Sequence, residues 1–104
     1  MLHTGGAEFH LNKDTSTLTI GRDGNCDVAI DGDRVSRKHA QLQWAAGQIQ
    51  LSDSSTNGTY VHRVGQPALF VRRETIVIEG SGEIGLGCLP SEDATHAVRF
   101  DVRD

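Results

Sequence analysis

The chain has 104 residues, with ten Lys and Arg against fourteen Asp and Glu, a formal net charge of −4. That length argues for one core rather than two, and a chain of this size folds without a metal or a disulfide framework. The acidic balance disfavours general nucleic-acid binding, no apolar run approaches the ~20 residues of a membrane helix, and MLHTGGAEFH lacks the basic start and apolar stretch of a secretion signal. The expectation is a cytoplasmic chain that neither inserts into a membrane nor binds nucleic acid, with Cys26 and Cys88 as reduced thiols.

Short apolar runs alternate with turn residues along the whole chain. Thr17 to Ile20, Val28 to Ile30, Ile49 to Leu51, Thr59 to Val61, Leu69 to Val71, Thr75 to Ile78 and Val98 to Val102 each read as a strand. Asp23-Gly24, Asp31-Gly32, Asn57-Gly58 and Ser81-Gly82 mark turns between them. Arg37 to Ala46 is rich in Ala, Gln and Leu and is the one helix candidate. Its period is two, however: Ala40, Leu42 and Trp44 alternate with His39, Gln41 and Gln43. The alternation resumes after Ala46-Gly47 in Gln48 to Leu51, so this region is expected to be a hairpin with one wet face. The fold class expected is all-β, an antiparallel β-sandwich of many short strands.

Several motifs carry no chemistry. Gly80-Ser81-Gly82-Glu83-Ile84-Gly85 has dinucleotide-turn spacing, but Leu86-Gly87-Cys88-Leu89-Pro90 cannot begin the helix that such a turn needs, and a glycine-rich strand edge is expected instead. Asp23, Asn25 and Asp27 begin like a calcium loop, yet Val28 stands at the glycine position and Arg34 at that of the bidentate Glu. The five histidines and two cysteines show no zinc spacing, so no metal or other cofactor is expected. Ser36, His39 and Asp53 suggest a triad, but if Ser36 and His39 both lie on the strand they face opposite ways, and placing Ser36 in the preceding loop weakens that objection without creating a triad. The chain is expected not to be an enzyme.

Three segments remain: Gly21-Arg22, Ser36-Arg37-Lys38-His39-Ala40, and Asp53-Ser54-Ser55-Thr56-Asn57-Gly58-Thr59. All lie at expected strand ends, and together they offer guanidinium groups, hydroxyls, a carboxamide and glycine-freed backbone N–H groups. That set suits holding a phosphate dianion. The order Gly-Arg, Ser-Arg-x-His-Ala and Asp-x-Ser-Thr-Asn-Gly-Thr-Tyr-Val resembles the forkhead-associated (FHA) family over about residues 7–89.

The resemblance implies a single domain over 1–104, a sandwich of about eleven strands, and binding of phosphothreonine peptides. Carried over position by position, it implies that Arg22 contacts the phosphate or its neighbour and that Ser36 donates its hydroxyl and N–H to phosphate. Thr56 completes the cradle, Asn57 holds the ligand's main chain, and Arg37, ranked below these four, touches ligand backbone or phosphate. Gly21, His39 and Gly58 are assigned structural support, as is Asp53, whose carboxylate would repel phosphate. Asn57-Gly58 has a second reading as a type I′ hairpin turn alone. The implied partners are phosphothreonine proteins or peptides, products of Ser/Thr kinases.

Two departures stand out. MLHTGG is short for the family's first strand, which fits a fragment of a larger protein. Gly80 to Gly87 and Phe70-Val71-Arg72-Arg73-Glu74 resemble the FHA variety beside bacterial class III adenylate and guanylate cyclase domains. The alternative function is a phosphate-independent interaction or oligomerisation module of the same fold.

Overall fold

The computed structural model describes residues 2–4, 7–11, 15–92 and 97–102. Among them are eleven strands: β1 (Leu2–Thr4), β2 (Ala7–Phe9), β3 (Thr17–Gly21), β4 (Val28–Ala29), β5 (Ala40–Ala45), β6 (Gln48–Asp53), β7 (Thr59–Arg63), β8 (Leu69–Val71), β9 (Thr75–Ile78), β10 (Gly80–Leu86) and β11 (Val98–Val102). They form a six-stranded sheet in the order β2-β1-β11-β10-β7-β8 and a five-stranded sheet in the order β4-β3-β5-β6-β9. Every pairing is antiparallel except β3 with β4, which is parallel. The expected sandwich is present, and no helix among the described residues is long and apolar enough to cross a membrane.

Two-residue alternation builds the core. On β5, Ala40 and Leu42 are buried while Gln41 and Gln43 are exposed; on β6, Ile49 and Leu51 are buried between polar neighbours. Leu18, Ile20, Leu42, Leu51 and Ile78 of one sheet meet Val61, Val71, Ile84, Val98 and Phe100 of the other. The helix candidate is therefore a strand. Ala46 and Gly47 close its hairpin with φ of 53° and 77°, the paired positive values that a type I′ turn requires.

Three turn and edge expectations need correction. Ser81-Gly82 is not a turn: both residues lie inside β10, held between β7 and β11. The same double pairing makes the glycine-rich segment an interior strand rather than a sheet edge. Asn57-Gly58 is not a type I′ hairpin, because Gly58 has a positive φ and Asn57 does not, and the loop passes from β6 in one sheet to β7 in the other. Its asparagine is thus not there for hairpin geometry.

Register places the remaining loops. Ile20 pairs with Ala40 and Ala40 with Asp53, so Gly21, Ala40 and Asp53 stand at one end of the five-stranded sheet. β7 starts from the segment that follows Asp53. Because Leu42 is fully buried and Gln43 beside it is exposed, urea denaturation should separate the two faces of β5. Leu42→Ala should cost about 2–5 kcal/mol, whereas Gln43→Ala should stay within about 0.5 kcal/mol of the parent.

Candidate functional site

The end of β3 runs against the following loop so closely that a Cβ on Gly21 would overlap the Arg37 carbonyl oxygen. Glycine lets the two segments touch. Just beyond, the Arg22 N–H donates to the Ser36 carbonyl at 3.0 Å and the Asp23 N–H to the Arg37 carbonyl at 3.1 Å.

Ser36 joins this pair to the third loop, since its Oγ accepts from the Thr56 N–H at 3.1 Å. Its own N–H donates to Nδ1 of His39 at 3.0 Å. The expected donation of the Ser36 N–H to phosphate is corrected on that ground, because the imidazole already takes it. The hydroxyl hydrogen stays available, as an oxygen that accepts one bond can still donate another.

His39 is fully buried. With Nδ1 accepting, Nε2 carries the proton and donates to the Gly58 carbonyl at 2.7 Å, so the ring is the neutral Nε2–H tautomer. Burial holds its pKa below the ordinary 6.5, against the opposing pull of the Gly58 carbonyl and of the Asp53 carboxylate, 3.9 Å from Nε2. Ser36 and His39 do meet, because Ser36 lies in the turn before β5 rather than on the strand. The contact runs through the backbone N–H, however, and leaves the hydroxyl without a base.

Asp53 organises the third loop. Oδ1 accepts from the hydroxyls of Ser55 at 2.7 Å and Thr59 at 2.6 Å, and Oδ2 from the N–H groups of Ser55 at 3.0 Å and Arg73 at 2.9 Å. Burial alone would raise its pKa, but the bonds from Thr59, Arg73 and Ser55 outweigh it and hold the carboxyl below 3.8. Ser55 Oγ then accepts from the Gly58 N–H at 2.8 Å. Gly58 has φ +88°, and the Phe70 ring occupies the space that a Cβ would need.

The predicted ligand-facing residues surround this framework. Asn57 Nδ2 donates to the Arg34 carbonyl at 3.2 Å, and among the described residues its Oδ1 and second N–H have no partner. Thr56 is exposed, and its carbonyl accepts from Arg72 Nε at 3.0 Å. Arg22, Arg34, Arg37 and Lys38 are exposed, and among the described residues their charged ends have no hydrogen-bond or ion-pair partner. Sequence reasoning missed Arg72 and Phe70, which touch Thr56 and Gly58 only because the pairing of β7 with β8 brings them beside that loop. It had no local signal to find them. Cys26 and Cys88 are unbridged, and among the described residues no three His, Cys, Asp or Glu gather as a metal site.

Chemically, the rim combines unpaired cations, hydroxyls and an amide over buried groups that are already saturated. Both nitrogens of His39 and both oxygens of Asp53 are engaged, so neither is free to take a proton from a guest. Such an arrangement suits holding an anion rather than transferring it.

Comparison with known proteins bears on that arrangement. The FHA domain model matches residues 18–79. The oxoglutarate dehydrogenase inhibitor of Corynebacterium efficiens is 37% identical over 83 residues, covering 79% of this chain and 52% of the relative. The chain thus spans about half the length of the curated relatives it matches. The crystal structure of Mycobacterium tuberculosis Rv1747 FHA-1 superposes with a TM-score of 0.69 at 23% identity, covering 99% of this chain and 94% of that one. The N-terminal FHA domain of Saccharomyces cerevisiae Rad53p, solved with a phosphothreonine peptide, gives a TM-score of 0.59 at 26% identity, covering 82% and 64%.

Two acid transitions are expected from the buried pair. His39 has a folded pKa below 6.5, so its neutral form supports stability fully above that value, and the support is lost as pH falls from 6.5 towards the folded pKa. Asp53 contributes above 3.8 and loses its contribution below it. Urea midpoints measured from pH 8 to pH 3 should fall in these two steps. His39→Phe should abolish the upper step and lower stability above pH 6.5 by about 1–3 kcal/mol, because the Ser36 N–H is left unpaired, with the deficit shrinking at lower pH.

Proposed function

The chain belongs to the forkhead-associated (FHA) family, and on that premise we propose that it is a non-catalytic reader of phosphothreonine in partner proteins. The observation that carries this reading is the junction at Ser36. One serine ties the Arg22 segment to the Thr56 loop, under a rim of cations that no described acid neutralises.

In this reading Arg22 supplies a guanidinium fork to the phosphate, and Ser36 donates its hydroxyl. Thr56 contributes its hydroxyl from the opposite wall, and Asn57 holds the ligand's main chain with its open carbonyl and N–H. Arg37 adds a second cation beside them. Gly21, His39 and Gly58 support the site through the contacts already described. The one domain over 1–104 recruits products of Ser/Thr kinases in the cytoplasm, as part of a larger signalling protein. In this reading threonine is preferred over serine, the γ-methyl being the group that distinguishes the two.

The overall charge of −4 does not oppose this. The Debye length is about 8 Å at physiological salt, so the guest senses the nearby cations more than distant carboxylates. About three charge-assisted bonds of ~1.5–3 kcal/mol each give a gross gain of about 5–9 kcal/mol, a range that runs from roughly 0.2 mM to roughly 0.3 μM before ordering costs, so a modest and reversible affinity is expected.

Calorimetric titration with matched phosphothreonine, phosphoserine and unmodified peptides tests the proposal. The expected order is phosphothreonine strongest and the unmodified peptide without measurable binding, and Arg22→Ala should weaken the first by at least about tenfold. Affinity should also decline below about pH 6, as the phosphate takes up its second proton. Equal binding of all three peptides would favour the phosphate-independent interaction module instead.

A further inference from the structure

The edge strand β8 lies beside the cup. Val71 turns into the core, while Phe70 before it and Arg72, the first residue past the strand, are exposed. Both touch the loop that carries Thr56 and Asn57. Phe70 is half exposed, its ring sits 4.9 Å from that of Tyr60, and it covers Gly58. Arg72 donates from Nε to the Thr56 carbonyl, a bond that pins the guanidinium beside the loop and leaves its other four N–H groups unused. No acidic side chain among the described residues pairs with it. A guanidinium fixed at one nitrogen, with its fork open, is set up for a planar or tetrahedral anion.

We propose that Arg72 forms a second anion subsite, separate from the phosphothreonine cup, that selects ligands with a negatively charged residue close in sequence to the phosphothreonine. The inference rests on the reading of the chain as a phosphothreonine reader and adds a sequence preference to it. A ligand held extended by Asn57 passes the Thr56 loop, and a neighbouring side chain reaches the outer face of β8 there. The anion is a carboxylate or a second phosphate, which meet the same N–H groups. Phe70 gives that neighbour an apolar floor, so the ion pair is partly shielded from water.

The test is a set of phosphothreonine peptides with an alanine background. Glu, phosphoserine or Lys is placed singly at each of the three positions on either side of the phosphothreonine. Preference is read as the affinity ratio to the alanine peptide within each protein, so that any effect of a variant on the loop itself cancels. The wild-type chain should favour an acid at one position about threefold to fivefold, the range of an exposed ion pair, and disfavour Lys there. Arg72→Met should bring that ratio to one, and Arg72→Glu should invert it in favour of Lys. A larger gain with phosphoserine than with Glu identifies a second phosphate as the ligand, and equal gains identify a carboxylate.

An acid preference that persists unchanged in Arg72→Met and Arg72→Glu, or no preference at any position, overturns the subsite while leaving the phosphothreonine reading intact. A wild-type chain that binds the alanine-background phosphopeptide no better than its unphosphorylated twin overturns both.

Discussion

The rim depends on one neutral imidazole at the end of the sandwich. His39 accepts the Ser36 N–H on one side of its ring and donates to the Gly58 carbonyl on the other. Ser36 leads into β5 of the five-stranded sheet and Gly58 into β7 of the six-stranded one, so a single side chain ties the two layers together where the loops emerge. Only an uncharged ring can do both, since a protonated imidazole has two donors and no acceptor. Desolvation favours the uncharged form and outweighs the Gly58 carbonyl and the Asp53 carboxylate, which pull the other way, and the bond accepted from the Ser36 N–H requires that same form. The site's geometry and the electrostatics of its support are one problem with one solution.

Asp53 solves a complementary problem with a charge. A buried carboxylate is costly unless its lone pairs are filled, and here four donors fill them. Three of the four come from residues 55 and 59, so the penalty of burial is offset by the same bonds that bend the chain from β6 to β7. The fourth, from the Arg73 N–H, ties the turn after β8 to that bend, and Arg73 holds a positive φ of 54° there. The negative charge is spent inward on donors and does not face the cup.

How far the sequence could be read follows from the range of each interaction. The strand character of residues 40–45 was legible because its pattern has a period of two, and Ala46-Gly47 marked the hairpin locally. Ser81-Gly82 misled because turn propensity is also local, whereas β10 is held by neighbours on both sides, residues 59–63 and 98–102. The motif segments were legible as a set, but not the bond that consumes the Ser36 N–H. Of the two placements open for Ser36, strand or preceding loop, the structure has the loop. Arg72 and Phe70 were invisible as parts of the rim, since only the register of β8 on β7, with Tyr60 opposite Phe70, carries them there.

A division of labour between backbone and side chain explains why an acidic chain can present an anion cup. The segments that meet at the rim are joined largely by main-chain groups: the Arg22 and Asp23 N–H groups, the Thr56 N–H and the carbonyls of Arg34, Ser36, Arg37 and Gly58. Framework made this way does not use the charged ends of Arg22, Arg34, Arg37 and Lys38. Had those cations been needed to hold the loops through ion pairs, their charge would already be neutralised and their geometry fixed by internal partners. A guest anion would then have to displace an intramolecular carboxylate. With the loops sewn by backbone, those cations have no partner among the described residues, which is the condition under which a charge-assisted hydrogen bond to a guest contributes most.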